Sequence, residues 1–129
     1  MLTNIFDAHA HYDDRWFDED RHDLLSSMPD LGVSYIVNAS VNLATARTAI
    51  GYAEQYPFMY ACAGIHPENL EGLPDDYIDQ LTALLRHEKV VALGEIGLDY
   101  HWDIPRDEQY RVFEEQLSLA KELDVPTVI

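Results

Sequence analysis

The chain has 129 residues, 47% hydrophobic and 25% charged, enough to bury a core and unlike an intrinsically disordered polymer. Twenty-four acidic against eight basic residues give a net charge of −16, which excludes gripping a polyanion through a broad basic surface. Bound divalent cations reverse that sign locally, so a small metal-carrying site stays open.

The opening "MLTNIFDAHA" lacks a basic start and meets Asp7 early, so it does not read as a secretory signal. No apolar run approaches the roughly 18 residues of a membrane span. The single cysteine, Cys62, cannot form an internal disulfide and reads as apolar filler in a buried run. A cytoplasmic protein without a membrane partner is expected.

The first strand is expected at Asn4–His11, "NIFDAHAH". A helix follows over Asp18–Met28, with acids at its start and Pro29 beyond its end. The β-branched run Val33–Ser40 predicts a second strand. The Ala-rich stretch Asn42–Tyr56 predicts a helix with Leu43, Ala46, Ile50 and Ala53 on one face. A third strand is expected over Phe58–Ile65. The next helix, Pro74–Glu88, carries Tyr77, Ile78, Leu81, Leu84 and Leu85 at helical spacing. Val90–Ile96 reads as the fourth strand. The last helix, Ile104–Leu123, is expected to bury Tyr110, Phe113, Leu117 and Ala120, and Val125–Ile129 reads as a fifth strand.

Strands starting roughly 25–35 residues apart fit successive strand–helix–strand units. The order βαβαβαβαβ predicts an α/β fold with a parallel sheet and right-handed crossovers. A TIM-type (β/α) barrel takes about 250 residues. Residues 1–129 are therefore expected to be roughly the first half of one such barrel domain, apparently truncated.

Chemistry-bearing residues collect at the carboxyl ends of these strands. His9 and His11 are two apart, so on a regular strand they share a face, with Ala8 and Ala10 opposite. Two neutral imidazoles facing one space suit a divalent transition metal. Asp7 has the same parity, as an acceptor for an imidazole N–H or as an ordinary strand-end residue. The third strand closes on His66. The fourth closes on Glu95 between Gly94 and Gly97, where glycines permit close approach, and Asp99 lies just beyond. Parallel α/β folds bind ligands at this edge. His22 and His87 read as solvated helix residues, and His101 as packed beside Trp102 or lining the cleft.

Two histidines and a carboxylate make half of a hydrolytic centre. Glu95 is the candidate to bridge two cations, and paired metals activate water and stabilise the oxygens of a displacement. The reaction class is hydrolysis of an ester, amide or phosphodiester, and spacing does not choose among them.

The stretches "DAHAHYDD", "GIHPENL", "ALGEIGLDYHWD" and "RDEQYRVFEEQLSLAKELDVPTVI" resemble, in order, those of the TatD family of metal-dependent deoxyribonucleases. The resemblance implies an amidohydrolase-type barrel using two divalent cations (Zn, Mg or Mn) as a 3′→5′ exonuclease on the end of a DNA strand. It implies His9, His11 and Glu95 as metal ligands, with Glu95 and His66 in catalysis and His66 contacting substrate. His101 has no counterpart to carry over. The family's next histidine, and a later histidine and aspartate, fall beyond Ile129, so the isolated chain is expected to be catalytically poor. The competing expectations are an amidohydrolase-type enzyme acting on a small phosphoester or cyclic amide, and a non-catalytic half-barrel for metal binding or assembly.

Overall fold

A computed structural model describes residues 1–129. Strands β1 (Ile5–Ala10), β2 (Val33–Asn38), β3 (Met59–Ala63), β4 (Val90–Gly94) and β5 (Thr127–Val128) alternate with helices α1 (Arg21–Ser27), α2 (Leu43–Gln55), α3 (Tyr77–Leu85) and α4 (Arg106–Leu123). Short 3-10 turns follow β1 at Arg15–Phe17 and β3 at Pro67–Asn69. The sheet is parallel throughout, in the order β1-β2-β3-β4-β5. A strand order that never reverses is that of a barrel wall, where a doubly wound sheet changes direction at its switch point. The fold is a partial barrel, as expected. No helix is long and apolar enough to cross a membrane.

The helix-facing side of the sheet holds most of the core. Leu81, Leu93, Ile65 and Val112 lie in its largest buried cluster, while Leu25, Ile36 and Met59 form a second under α1. Each fully buried aliphatic side chain contributes about 1.5–3 kcal/mol. The inner side carries a smaller cluster of Val37, Ala39, Cys62 and Ala92. Helix α2 buries the predicted Leu43, Ala46, Ile50 and Ala53. It opens with a reciprocal cap, Asn42 taking the Thr45 N–H and Thr45 the Asn42 N–H. In α3, Tyr77, Leu81 and Leu85 are buried, and Ile78 and Leu84 pack against the core half-buried.

Helix α4 departs from expectation. Tyr110 and Leu117 are exposed and Phe113 is half-buried, so of the predicted stripe only Ala120 is fully buried. The face in the core is Gln109, Val112, Gln116, Leu119 and Ala120. That set is displaced one residue from the predicted one, about 100° around the helix. The physical reason is that two buried positions are glutamines, which hydropathy assigns to solvent.

Strands β2, β3 and β4 also stop two residues short of their expected ends. The backbone there turns to partners beyond the neighbouring strand, Glu95 N–H donating to Ser40 O (2.7 Å) and His66 N–H to Val41 O (2.9 Å), while Ile96 N–H stays with β5 at Val128 O (3.0 Å). β5 is shorter than Val125–Ile129 because Asp124, in the left-handed region at φ 53°, caps α4 and Val125 N–H returns to Ala120 O.

Candidate metal centre

Strand β1 does not keep one parity. Phe6 lies opposite Tyr35, Asp7 opposite Ile36 and Ala10 opposite Asn38, so three steps of β1 match two of β2. Such a bulge turns residues on either side to different faces. Asp7 therefore leaves the face of the histidines, which corrects the expected shared parity. Its carboxylate accepts the His9 backbone N–H (3.3 Å) and the Tyr12 hydroxyl (3.5 Å), with no imidazole N–H as partner. Acting from behind, it braces the turn that carries both histidines.

The loop after β1 is held by β2. Ala39 N–H donates to Ala10 O (2.7 Å), and fully buried Asn38 accepts the Tyr12 N–H (2.6 Å) while donating to Asp13 (2.7 Å). From α1, the Arg21 guanidinium donates to the carbonyls of Tyr12 and Asp14 and to the Asp18 carboxylate. His9 and His11 thus project from a pinned backbone.

Glu95 is positioned by tight strand convergence. A Cβ on Gly64 would lie 2.7–2.8 Å from the Gly94 backbone, and one on Gly94 would lie 2.7 Å from Val128. Only glycines let β3, β4 and β5 come this close. The buried Ser40 hydroxyl joins the edge, donating to Gly94 O (3.3 Å) and accepting the Gly64 N–H (3.2 Å).

The result is a nearly equilateral triangle. His9 Nε2 lies 3.0 Å and His11 Nε2 3.2 Å from Glu95 Oε2, and the two Nε2 atoms are 3.2 Å apart. A tetrahedral centre with bonds of about 2.0–2.1 Å spaces its ligand atoms about 3.3 Å apart. The donor set supports the same conclusion. In the Nδ1–H tautomer each imidazole presents an Nε2 electron pair beside that of the carboxylate oxygen. A cation satisfies all three together. The residues present fit a divalent metal, with the histidines half-exposed and one side open to solvent.

His66 stands at the other carboxylate oxygen, its Nε2 3.6 Å from Glu95 Oε1. Its Nδ1 accepts the Glu68 N–H (3.2 Å), so the neutral ring keeps its proton on Nε2. At 3.6 Å that N–H is not committed to Glu95, which leaves a donor facing the site.

The remaining candidates lie elsewhere. His101 stacks edge-on against Trp102 (centroids 4.7 Å apart), and its N–H is held by Asp99 (2.8 Å). Trp102 donates its indole N–H to Glu68 (2.6 Å), linking the loops after β3 and β4. His22 pairs with the Tyr56 hydroxyl (2.6 Å). His87 lies past the end of α3 and pairs with Glu54 (3.1 Å), so neither ring is simply solvated.

Four supporting residues escaped the sequence reading. Asn38 and Ser40 carried a usable signal, being polar at the end of an apolar strand like His66 and Glu95. Gln109 and Gln116 carried none, because a polar residue in an amphipathic helix reads as surface. In the structure Gln109 binds both N–H and C=O of Asp99 (2.8 and 2.7 Å), and Gln116 does the same to Ile65 (2.7 and 3.1 Å).

Comparison with known proteins gives the family and the fold. Residues 6–129 match the family profile described as TatD related DNase. The chain is 38% identical over 126 residues to the uncharacterized metal-dependent hydrolase YabD of Bacillus subtilis, covering 97% of this chain and 49% of YabD. It superposes on the crystal structure of YjjV, a TatD homologue from Escherichia coli, with TM-score 0.86 and 36% identity, over 95% of this chain and 49% of that one. It is 32% identical to the 3′-5′ ssDNA/RNA exonuclease TatD of Cronobacter sakazakii, covering 97% of this chain and 48% of that enzyme. The chain spans about half the length of the relatives it matches.

Proposed function

Because the chain belongs to the TatD family of metal-dependent hydrolases, we propose that it contributes the first metal-binding half of a site that hydrolyses phosphodiester bonds at the end of a single-stranded nucleic acid. The observation that carries the reading is the triangle of His9, His11 and Glu95, with edges of 3.0–3.2 Å. The exonuclease relatives support the substrate, and the lone, buried Cys62 thiol suits action in the cytoplasm.

In this reading His9 and His11 hold a divalent cation through Nε2 and Glu95 through Oε2. When bound, the cation supplies Lewis acidity toward water and a phosphoryl oxygen. Glu95 would keep Oε1 free to hold a second cation or to accept a proton. His66 offers its Nε2–H to a phosphate oxygen, as its Nδ1 is occupied by Glu68. Asn38, Ser40 and Asp7 keep these groups in register.

Elemental analysis of the purified chain is the first test. Near-stoichiometric divalent metal in the wild type and loss of most of it in both His9→Ala and Glu95→Ala is the expected result. Equal metal in all three overturns the assignment. A second reading, hydrolysis of small phosphoesters or cyclic amides, is favoured by the net charge of −16. Incubating a metal-loaded complete barrel that carries this chain as its first half with 3′-labelled single-stranded DNA and a panel of small esters separates the two.

A further inference from the structure

The carboxamide of Gln116 is fully buried on the core face of α4, in a helix whose other inward residues there are mostly apolar. Burying an amide costs free energy unless its hydrogen bonds are made. Gln116 makes two of them outside its own helix, taking the Ile65 N–H (2.7 Å) and donating to Ile65 O (3.1 Å). Its remaining N–H reaches Val112 O (3.3 Å). Toward Ile65 it acts as a neighbouring strand would, at the point where β3 has left the ladder.

Ile65 is the residue before His66. The backbone donors through this turn go to three different places: Gly64 N–H to the Ser40 hydroxyl (3.2 Å), Ile65 N–H to Gln116, and His66 N–H to Val41 O (2.9 Å). Gln116 is the one member of that set from α4, and it alone fixes both polar groups of a single residue. About two helical turns earlier, Gln109 makes the same bidentate contact with Asp99, in the loop after Glu95. A face predicted to be surface thus carries two amide clamps, one on each loop flanking the centre.

We infer that Gln116 is a positioning residue for His66: it fixes the Ile65 peptide so that the imidazole stands with Nδ1 on the Glu68 N–H and Nε2 toward Glu95. The inference rests on the reading of His66 as a working member of the site.

The test is histidine-ring 15N NMR on the intact chain at mildly alkaline pH, which requires no turnover. Gln116→Met keeps length and helix preference but removes both bonds to Ile65. The expected result is loss of the widely split 15N pair of His66 that one tautomer gives, toward an averaged pair, with His22 and His87 unmoved. Leu119→Ala, on the same buried face but not bonded to Ile65, controls for general destabilisation. It is expected to lower Tm and keep the wild-type His66 pattern. A wild-type His66 pattern in folded Gln116→Met overturns the inference.

Should Gln116→Met fail to fold, the wild-type chain decides. Scalar coupling across the hydrogen bond between the Ile65 amide 15N and the Gln116 side-chain carbonyl 13C supports the clamp, and its absence overturns it. The functional reading stands apart from this outcome. Displacement of His66 in Gln116→Met supports the inference whether or not the chain hydrolyses nucleic acid, and loss of the nuclease assignment leaves it standing. An active chain with His66 unmoved sinks the inference alone.

Discussion

Cys62 sits on the inner face of the sheet beside Val37, Ala39 and Ala92, with Asn38 O as its hydrogen-bond partner (3.9 Å). Burial pushes its thiol from the ordinary 9.0 up to about 11, so this soft sulfur stays protonated and does not compete as a metal ligand. The unfolded chain releases the proton first as pH rises. The thiol's contribution to stability is therefore complete below 9.0 and declines between 9.0 and about 11. Two pKa units correspond to about 2–3 kcal/mol. Burial also raises Tyr12 and Tyr77, so the alkaline loss is not due to Cys62 alone. The expected outcome is a urea midpoint that falls faster for wild type than for Cys62→Ala across that window, and a thiol inert to reagent at neutral pH until the chain unfolds. Rapid labelling of the folded protein at neutral pH would contradict it. At this scale the sequence was informative where a residue type is rare in its setting. Two histidines at a strand end announce themselves, whereas the face turned by the bulge at Asp7 depends on pairing with β2.

The elements place the site through the shape of their ends more than through their lengths. Strands β3, β4 and β5 approach at Gly64 and Gly94 more closely than any Cβ permits. Gly64→Ala would push its methyl into the Gly94 backbone, with Glu95 the next residue along. Its expected cost is roughly 1–3 kcal/mol of stability from overpacking, with weaker metal binding because Glu95 moves. Gly51→Ala is the comparison, as a Cβ there, inside α2, meets nothing within 4 Å. It is expected to be neutral or to stabilise by up to about 1 kcal/mol. Thermal melts and calorimetric metal titration of both variants check the pair, and equal behaviour would remove the steric argument. The same ends explain what hydropathy could and could not reach. Periodicity located nine elements in order, because burial on a sheet face or helix stripe leaves a repeat in the residues. It overshot β2, β3 and β4 because residues that leave the ladder for the site, such as Ile65, stay as apolar as those that remain. It misplaced the α4 face because Gln109 and Gln116 are buried by hydrogen bonding to loops that no local pattern announces.

Across the whole chain, an uninterrupted parallel order brings the ends of β1, β3 and β4 to one edge, while the net charge of −16 sets a repulsive field around it. Several of the few cations are already engaged. Arg21 holds the β1 loop, Lys89 donates to Pro57 O and Met59 O, Arg47 binds Gln80, and Arg106 lies over the Tyr100 ring. A nucleic-acid substrate would then meet its compensating charge at cations bound by His9, His11 and Glu95. Proteins that neutralise phosphates with Lys and Arg lose affinity for single strands with a slope of about −0.7 per phosphate in log K against log salt. For the metal-loaded chain and a short labelled single strand, the expected slope is shallow or positive, since added salt screens the repulsion between two acidic bodies. Fluorescence anisotropy between about 50 and 200 mM salt measures it. A slope equivalent to several phosphates would require a cationic surface the chain does not display. A flat slope whose binding disappears in Glu95→Ala would locate the whole attraction at the edge that carries His9, His11 and Glu95.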